Sequence, residues 1–353
     1  MRDPLKTWRH ACSRILLPLI LAALAGCTAI AVGLGLRVRL DKVPVTALSA
    51  SLSAKNGAGV QALAPGQSVK LIIVATDKDG HQFVTAGAGH GKVLLDSFTY
   101  DPDIVQVNKK GAVMMPADPR VSEGKVPRLR ITPVGHPDVT TELQVPVRYD
   151  VVYQANFSGA DGAPGSDGFD GTDGMSGSSG SPGTIDPATG IPGTPAPGGD
   201  GTNGGNGTDG SNGGDASPGL AVSVWMRLTS DKEPLLQIKV AGAGRESLYL
   251  VDPNGGSLKV QANGGRGGQG GRGGRAGRGG SGGDGFPSGL SGSSGSAGWD
   301  GHAGADGPAG TITVWIDPQA EAFRNHLALT NLRGDGRPGP APSINVEPVP
   351  PLW

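Results

Sequence analysis

Four arginines, Arg266, Arg272, Arg275 and Arg278, recur at multiples of three residues inside one glycine tract, and four aspartates, Asp161, Asp167, Asp170 and Asp173, do the same in another. In an extended helix of three residues per turn, each set lies along one edge. A cationic edge of that kind is a candidate for holding an anionic envelope polymer. An acidic arm beside a basic arm could also pair within the chain, at about 0–1 kcal/mol per exposed pair. Asp200, Asp209 and Asp215 share a triplet position in a further tract. Other chemistry is thin. Gly279-Gly280-Ser281-Gly282-Gly283 matches a hydrolase nucleophile pattern only formally, since it lies inside a glycine repeat with no strand-turn-helix context. Gly204–Asp209 begins like a calcium-binding nonapeptide, but Ser211 stands where a large apolar residue is needed and the period is three. His81, His90, His136, His302 and His326 lack metal-ligand spacing. Asp77, Asp79 and Asp101 read as solvated turn acids rather than as a cation site. The pattern implies no catalytic residues, no metal and no cofactor.

The N-terminus carries a different signal. Arg2, Lys6, Arg9 and Arg14 precede an apolar run from Ile15 to Leu24, the layout of an export signal. It ends Leu24-Ala25-Gly26-Cys27, which resembles the lipobox of bacterial lipoproteins. The resemblance implies cleavage before Cys27, lipid on its thiol and attachment to a membrane through the acyl chains. Thr28 in place of Asp favours the outer membrane or cell surface by the same resemblance. The alternative is an uncleaved anchor, because Ile15–Leu36 is uncharged and long enough to span a bilayer. Cys12 and Cys27 are the two cysteines, so no disulfide forms in the body of the protein.

From Ala47 to Val152, short β-branched segments separated by turn residues predict strands: Val69–Thr76, Lys92–Tyr100, Ile104–Val107, Ala112–Met114, Arg128–Thr132 and Thr140–Tyr149. Ala64–Ser68 leading into the Val69 strand, and Asp103–Val107 followed by Gly111-Ala112-Val113, resemble bacterial immunoglobulin-like domains. The resemblance implies a β-sandwich acting as spacer or adhesive module.

The second half is dominated by a period of three. Gly recurs at every third residue from Gly159 to Gly183, again from Gly198 to Gly213 in a tract that runs on to Gly219, in doublets at nearly every triplet from Gly264 to Gly285, and singly from Gly289 to Gly310. Three readings compete. A collagen-like trimer needs Gly at every third place but also abundant Pro, and the third tract has none. Disorder suits Gly/Ser-rich chain. A packed bundle of polyglycine-II-like helices needs glycine edges wherever backbones meet. Matched lengths favour the bundle. Tracts three and four have 22 residues each, joined by three, and the first two have 25 and 22, joined by fourteen. Two hairpins with arms of about 68 Å follow, with the doubly glycine-edged third tract in the centre. Leu220–Leu228, Leu235–Val240, Leu248–Val251, Leu258–Ala262, Thr311–Ile316 and His326–Asn331 predict the strands from which they leave.

The expected fold class is therefore all-β plus glycine-rich repeat, with essentially no α-helix outside the signal peptide. The predicted map is a signal peptide (1–26), a lipid-anchored tether (27–45), an immunoglobulin-like sandwich (46–152), an acidic glycine hairpin (153–219), strands (220–263), a second glycine hairpin (264–310), strands (311–333) and an irregular Pro-rich tail (334–353). Gly and Pro supply 63 and 29 of 353 residues, which excludes a single compact α/β enzyme domain, and a net charge of −1 excludes a globally basic nucleic-acid binder. The function implied is that of a non-enzymatic, lipid-anchored structural or adhesive element of the envelope. The alternatives are a module that binds anionic envelope polymer or nucleic acid through the Arg-Gly-Gly edge of Arg266–Arg278, and a collagen-like trimeric surface protein.

Overall fold

A computed structural model of the chain describes residues 37–54, 58–229 and 234–353. The lipobox Leu24-Ala25-Gly26-Cys27 and the signal segment lie outside the described residues. Among the described residues, no helix is long and apolar enough to cross a membrane. The protein is mostly β among the described residues, with four sheets, and it falls into two compact units that divide between Val151 and Val152.

Among its described residues, the first unit has nine strands in two antiparallel sheets. One has the order β2-β1-β3-β7-β6, with β1 (Val45–Ser53), β2 (Gly59–Val60), β3 (Ser68–Asp77), β6 (Gln106–Val107) and β7 (Ala112–Met114); β4 (Gln82–Val84) also pairs with β3. The other is β5-β8-β9, with β5 (Phe98–Pro102), β8 (Arg128–Pro133) and β9 (Thr141–Gln144). Leu52, Leu71, Ile73 and Val113 from the first sheet share one core with Phe98, Leu129 and Ile131 from the second. The alternating burial of β3 follows from its alternating sequence, since successive side chains point to opposite faces. Two expected strands are shorter than their apolar pattern. Leu95–Ser97 forms a 3₁₀ turn before β5. In the Thr140–Tyr149 segment the strand ends at Gln144, just before Pro146, which has no N–H to offer, and beyond it Val147 makes an isolated bridge to Leu63. Pro119–Ser122 makes one short helical turn capped by Asp118.

The second unit has two further sheets. One is parallel, β10-β14-β16, formed by β10 (Val152–Asn156), β14 (Ser257–Gln261) and β16 (Leu327–Thr330). The other is β13-β12-β11-β15-β17, formed by β11 (Val222–Leu228), β12 (Leu236–Gly242), β13 (Arg245–Val251), β15 (Ile312–Ile316) and β17 (Ser343–Val346). Val224, Met226, Ile238 and Val314 of the five-stranded sheet are fully buried in one core with Leu258 and Val260 of the three-stranded sheet. On the outer face of the five-stranded sheet, Trp225 and Trp315 pair in register and stack at 5.1 Å. The expectation of an irregular tail fails at β17, which adds to β15 as a parallel edge strand between prolines; an edge is where a sheet tolerates Pro nearby.

Each sheet feeds the glycine tracts directly. β10 runs into tract one and β14 into tract three, whereas tracts two and four return into β11 and β15. The four tracts are joined laterally. Glycine N–H groups of tract one, from Gly159 to Gly180, donate to carbonyls of tract three at 2.6–2.8 Å in parallel register. Tract three donates antiparallel to tract two, Gly265 to Ser217 through Gly283 to Gly199, at 2.8–3.0 Å. Tract two donates to tracts one and four, and tract four donates back to tract three. Tracts two and three thus each touch three neighbours, and tracts one and four touch two.

Candidate functional site

Extended backbone without internal hydrogen bonds leaves every amide in need of an outside partner. Tract three meets that requirement in three directions, toward tract two at every triplet and toward tracts one and four at several. The second glycine of each doublet, from Gly265 to Gly283, is buried and donates to a tract-two carbonyl. A Cβ on Gly271 or Gly274 would fall on the carbonyl oxygens of Ser166 or Phe169 in tract one, and a Cβ on Gly270 or Gly273 would fall on those of Gly301 or Gly298 in tract four. Both glycine edges are therefore used, one against each flanking tract.

The third direction explains the charges. The N–H groups of Arg266, Arg272, Arg275 and Arg278 donate to the carboxylates of Asp161, Asp167, Asp170 and Asp173 at 2.7–2.8 Å. The acidic and basic arms are neighbours as expected, but the carboxylates hold main-chain amides. No ion pair joins these aspartates to the four guanidinium groups among the described residues, and all four arginines are exposed. The Arg edge accordingly carries one carboxylate on the main chain of each arginine.

The same device recurs along the other contacts. Asp200, Asn203, Asn206, Asp209, Asn212 and Asp215 of tract two each accept an N–H from tract four, at Leu290, Ser293, Ser296, Trp299, His302 and Ala305. Hydroxyls of Thr202, Thr208 and Ser211 accept from Met175, Phe169 and Ser166. Asp300 and Asp306 accept from Gly273 and Gly267. Sequence reasoning from charge alone found the aspartates and missed the asparagines and hydroxyls, although an Asx at every third residue of tract two was readable. Because Asn and Asp alternate at equivalent places, the requirement is a short side-chain oxygen rather than a negative charge.

The turn acids divide. Asp77, Asp79 and His81 bring possible ligand atoms within 4.8 Å of one another, whereas Asp101 sits in β5 opposite Arg130. Asp77 is already engaged: its carboxylate accepts the N–H groups of Asp79 and His81 and meets the His81 ring at 3.1 Å. Burial pushes its carboxyl up, but these hydrogen bonds outweigh that and hold it below the usual Asp value. Gly279–Gly283 lies within the tract-three lattice, where Gly280 and Gly283 donate to tract two.

Comparison of the chain with protein-family models, with curated proteins and with solved structures finds no match.

Proposed function

We propose that this chain is a non-enzymatic, lipid-anchored protein of the bacterial envelope that acts as a structural or adhesive element through a rigid bundle of polyglycine-II-like helices. The observation that carries the reading is the three-residue repeat of lateral hydrogen bonds linking all four tracts. A disordered tract has no use for equal arms and paired amides, and the bonding is satisfied within one chain, as a collagen-like trimer would not require. In the first unit, two antiparallel sheets around a shared core support the immunoglobulin-like reading of a spacer. Attachment rests on Leu24-Ala25-Gly26-Cys27 and on Cys27 as the acylated residue.

The polyanion-binding alternative is weakened at its own edge, because Asp161, Asp167, Asp170 and Asp173 interleave with the four arginines and bring the local net charge to zero. The decisive experiment is fatty-acid labelling of cells expressing the parent and Cys27→Ser, followed by membrane fractionation. The parent should carry label, and the variant should accumulate as an unlabelled, unprocessed precursor. A Cys27→Ser protein that is processed and fractionates like the parent refutes the anchored reading.

A further inference from the structure

The first unit contains a cavity of about 860 Å³ lined by its own residues. Its size lies in the range of small-molecule sites. Its lining is sharply divided. Arg37, Lys70, Lys109 and Lys110 supply four cations. Against them stands one lining acid, Asp96, whose carboxylate already faces the Arg39 guanidinium at 3.8 Å. The floor is apolar: Leu71 and Phe98 are buried, and Leu94, Leu95 and Val107 are half-buried.

The lysines are held by a built turn. Asn108 Oδ1 accepts the N–H groups of Lys110 and Ala112 at 2.9 and 3.0 Å, and Gly111 takes a φ of +68° that closes the turn. Lys70, projecting from β3, reaches the same turn and donates to the Lys110 carbonyl at 3.5 Å. Lys109 and Lys110 are exposed residues of the turn that Lys70 reaches, and all three line the cavity. A lining with four cations and one acid favours an anionic occupant. A small anion alone would leave the apolar floor wet, and a neutral apolar ligand would leave the cations unmatched.

We propose that this cavity binds a phosphate-headed amphiphile, the headgroup between Lys70, Lys109 and Lys110 and the apolar part on Leu71, Leu95 and Phe98. The proposal stands independently of acylation at Cys27. The phosphate could come from a lipid headgroup or from a soluble phosphate ester, and the apolar floor favours the lipid.

The test is calorimetric titration of the full chain in an uncharged detergent with three probes: dihexanoyl phosphatidic acid, dihexanoyl phosphatidylcholine and glycerol 3-phosphate. Saturable binding of the phosphatidic acid is expected. It should weaken about tenfold or more when Lys70→Gln and Lys110→Gln are combined, and stay unchanged in Lys78→Gln, which removes a charge away from the cavity. Glycerol 3-phosphate bound as tightly as the lipid overturns the amphiphile and leaves a site for soluble phosphate. Equal binding of phosphatidylcholine, or an undiminished affinity in the double variant, overturns the proposal altogether.

Discussion

Replacing Gly271 by Val puts a branched side chain where the lattice has no room. Gly271 is buried, its N–H donates to Ser211 at 2.9 Å, its carbonyl accepts from Gly301 at 2.8 Å, and its missing Cβ would coincide with the Ser166 carbonyl. Relief requires tract one to swing outward, which also strains the bond from Gly165 to Gln269 and the Asp167 cap on Arg272. Overpacking costs about 1–3 kcal/mol, and two weakened hydrogen bonds add about 1 kcal/mol each. The lost flexibility of glycine in the unfolded chain returns about 0.4–1 kcal/mol. A net loss of about 3 kcal/mol lowers the melting of a unit this size by about 6–12 °C. Ser294→Val replaces an exposed residue of tract four and should move it by less than about 2 °C. A finer contrast is available. Ala276 occupies the same edge as Gly273, so that edge already accommodates one methyl group, whereas the Gly271 edge carries only glycine from Gly265 to Gly283. Gly271→Ala should therefore destabilise more than Gly273→Ala. Thermal unfolding monitored together with amide exchange across residues 264–285 reads both effects. Equal melting of all four variants, with exchange at unprotected rates in the parent, would refute the packed bundle.

Three further outcomes follow. Asp209→Asn should leave stability unchanged, because Asn206 and Asn212 serve equivalently on either side, whereas Asp209→Leu should lose about 1 kcal/mol through the orphaned Trp299 N–H; equal loss in both would show that charge matters. Changing Arg266, Arg272, Arg275 and Arg278 together to Gln should leave retention on heparin unaltered, and a salt-sensitive loss of retention would revive the polyanion reading. Asp77, held below the usual value of 3.8, stabilises the first unit above that pH, and the stabilisation disappears as pH falls through the lowered value; Asp77→Asn should flatten this acid limb, and parallel acid limbs would contradict the assignment.

Most strands of the second unit were legible because their apolar runs are bounded by turn residues, as at Leu236–Gly242 and Ser257–Gln261. β17 was hidden because Ser343–Val346 is short, polar in part and set among prolines, so its pairing depends on the neighbouring β15 rather than on local preference. In the glycine tracts, the doublets at Gly264–Gly283 announced a centrally packed segment, and tract three does meet three neighbours. The role of the aspartates was not legible from charge. An acid at every third residue suggests ion pairing, and only the neighbouring tract reveals an amide within reach of a short side chain. The cavity beside Lys70 was equally invisible, since its cations come from β3, the 108–111 turn and the segment before β1.

The register of the tracts is inherited from the sheets. Val152 pairs with Ser257 in the β10–β14 ladder, and the same 105-residue offset joins Asp161 to Arg266 and Asp173 to Arg278. Val222 pairs with Ile312 in the β11–β15 ladder, and the same 90-residue offset joins Asp200 to Leu290 and Asp215 to Ala305. Main-chain donors pass from Phe157 and Gln261 to Gly159 and Asn263, and then to Gly162 and Arg266, without a slip. The step along the ladder changes there from two residues to three as strand gives way to tract. Because the tracts repeat in threes, a constant offset presents the same triplet positions to the neighbour along the whole arm, and the ladders at the base set that offset. Glycine tracts are poor at choosing their own register, because every triplet resembles the next. The buried Val224, Met226, Leu258, Val260 and Val314 are not interchangeable in this way, and they fix the alignment at the end where the arms begin. The hydrophobic core of the second unit thus sets the geometry of a lattice that has almost no hydrophobic core of its own.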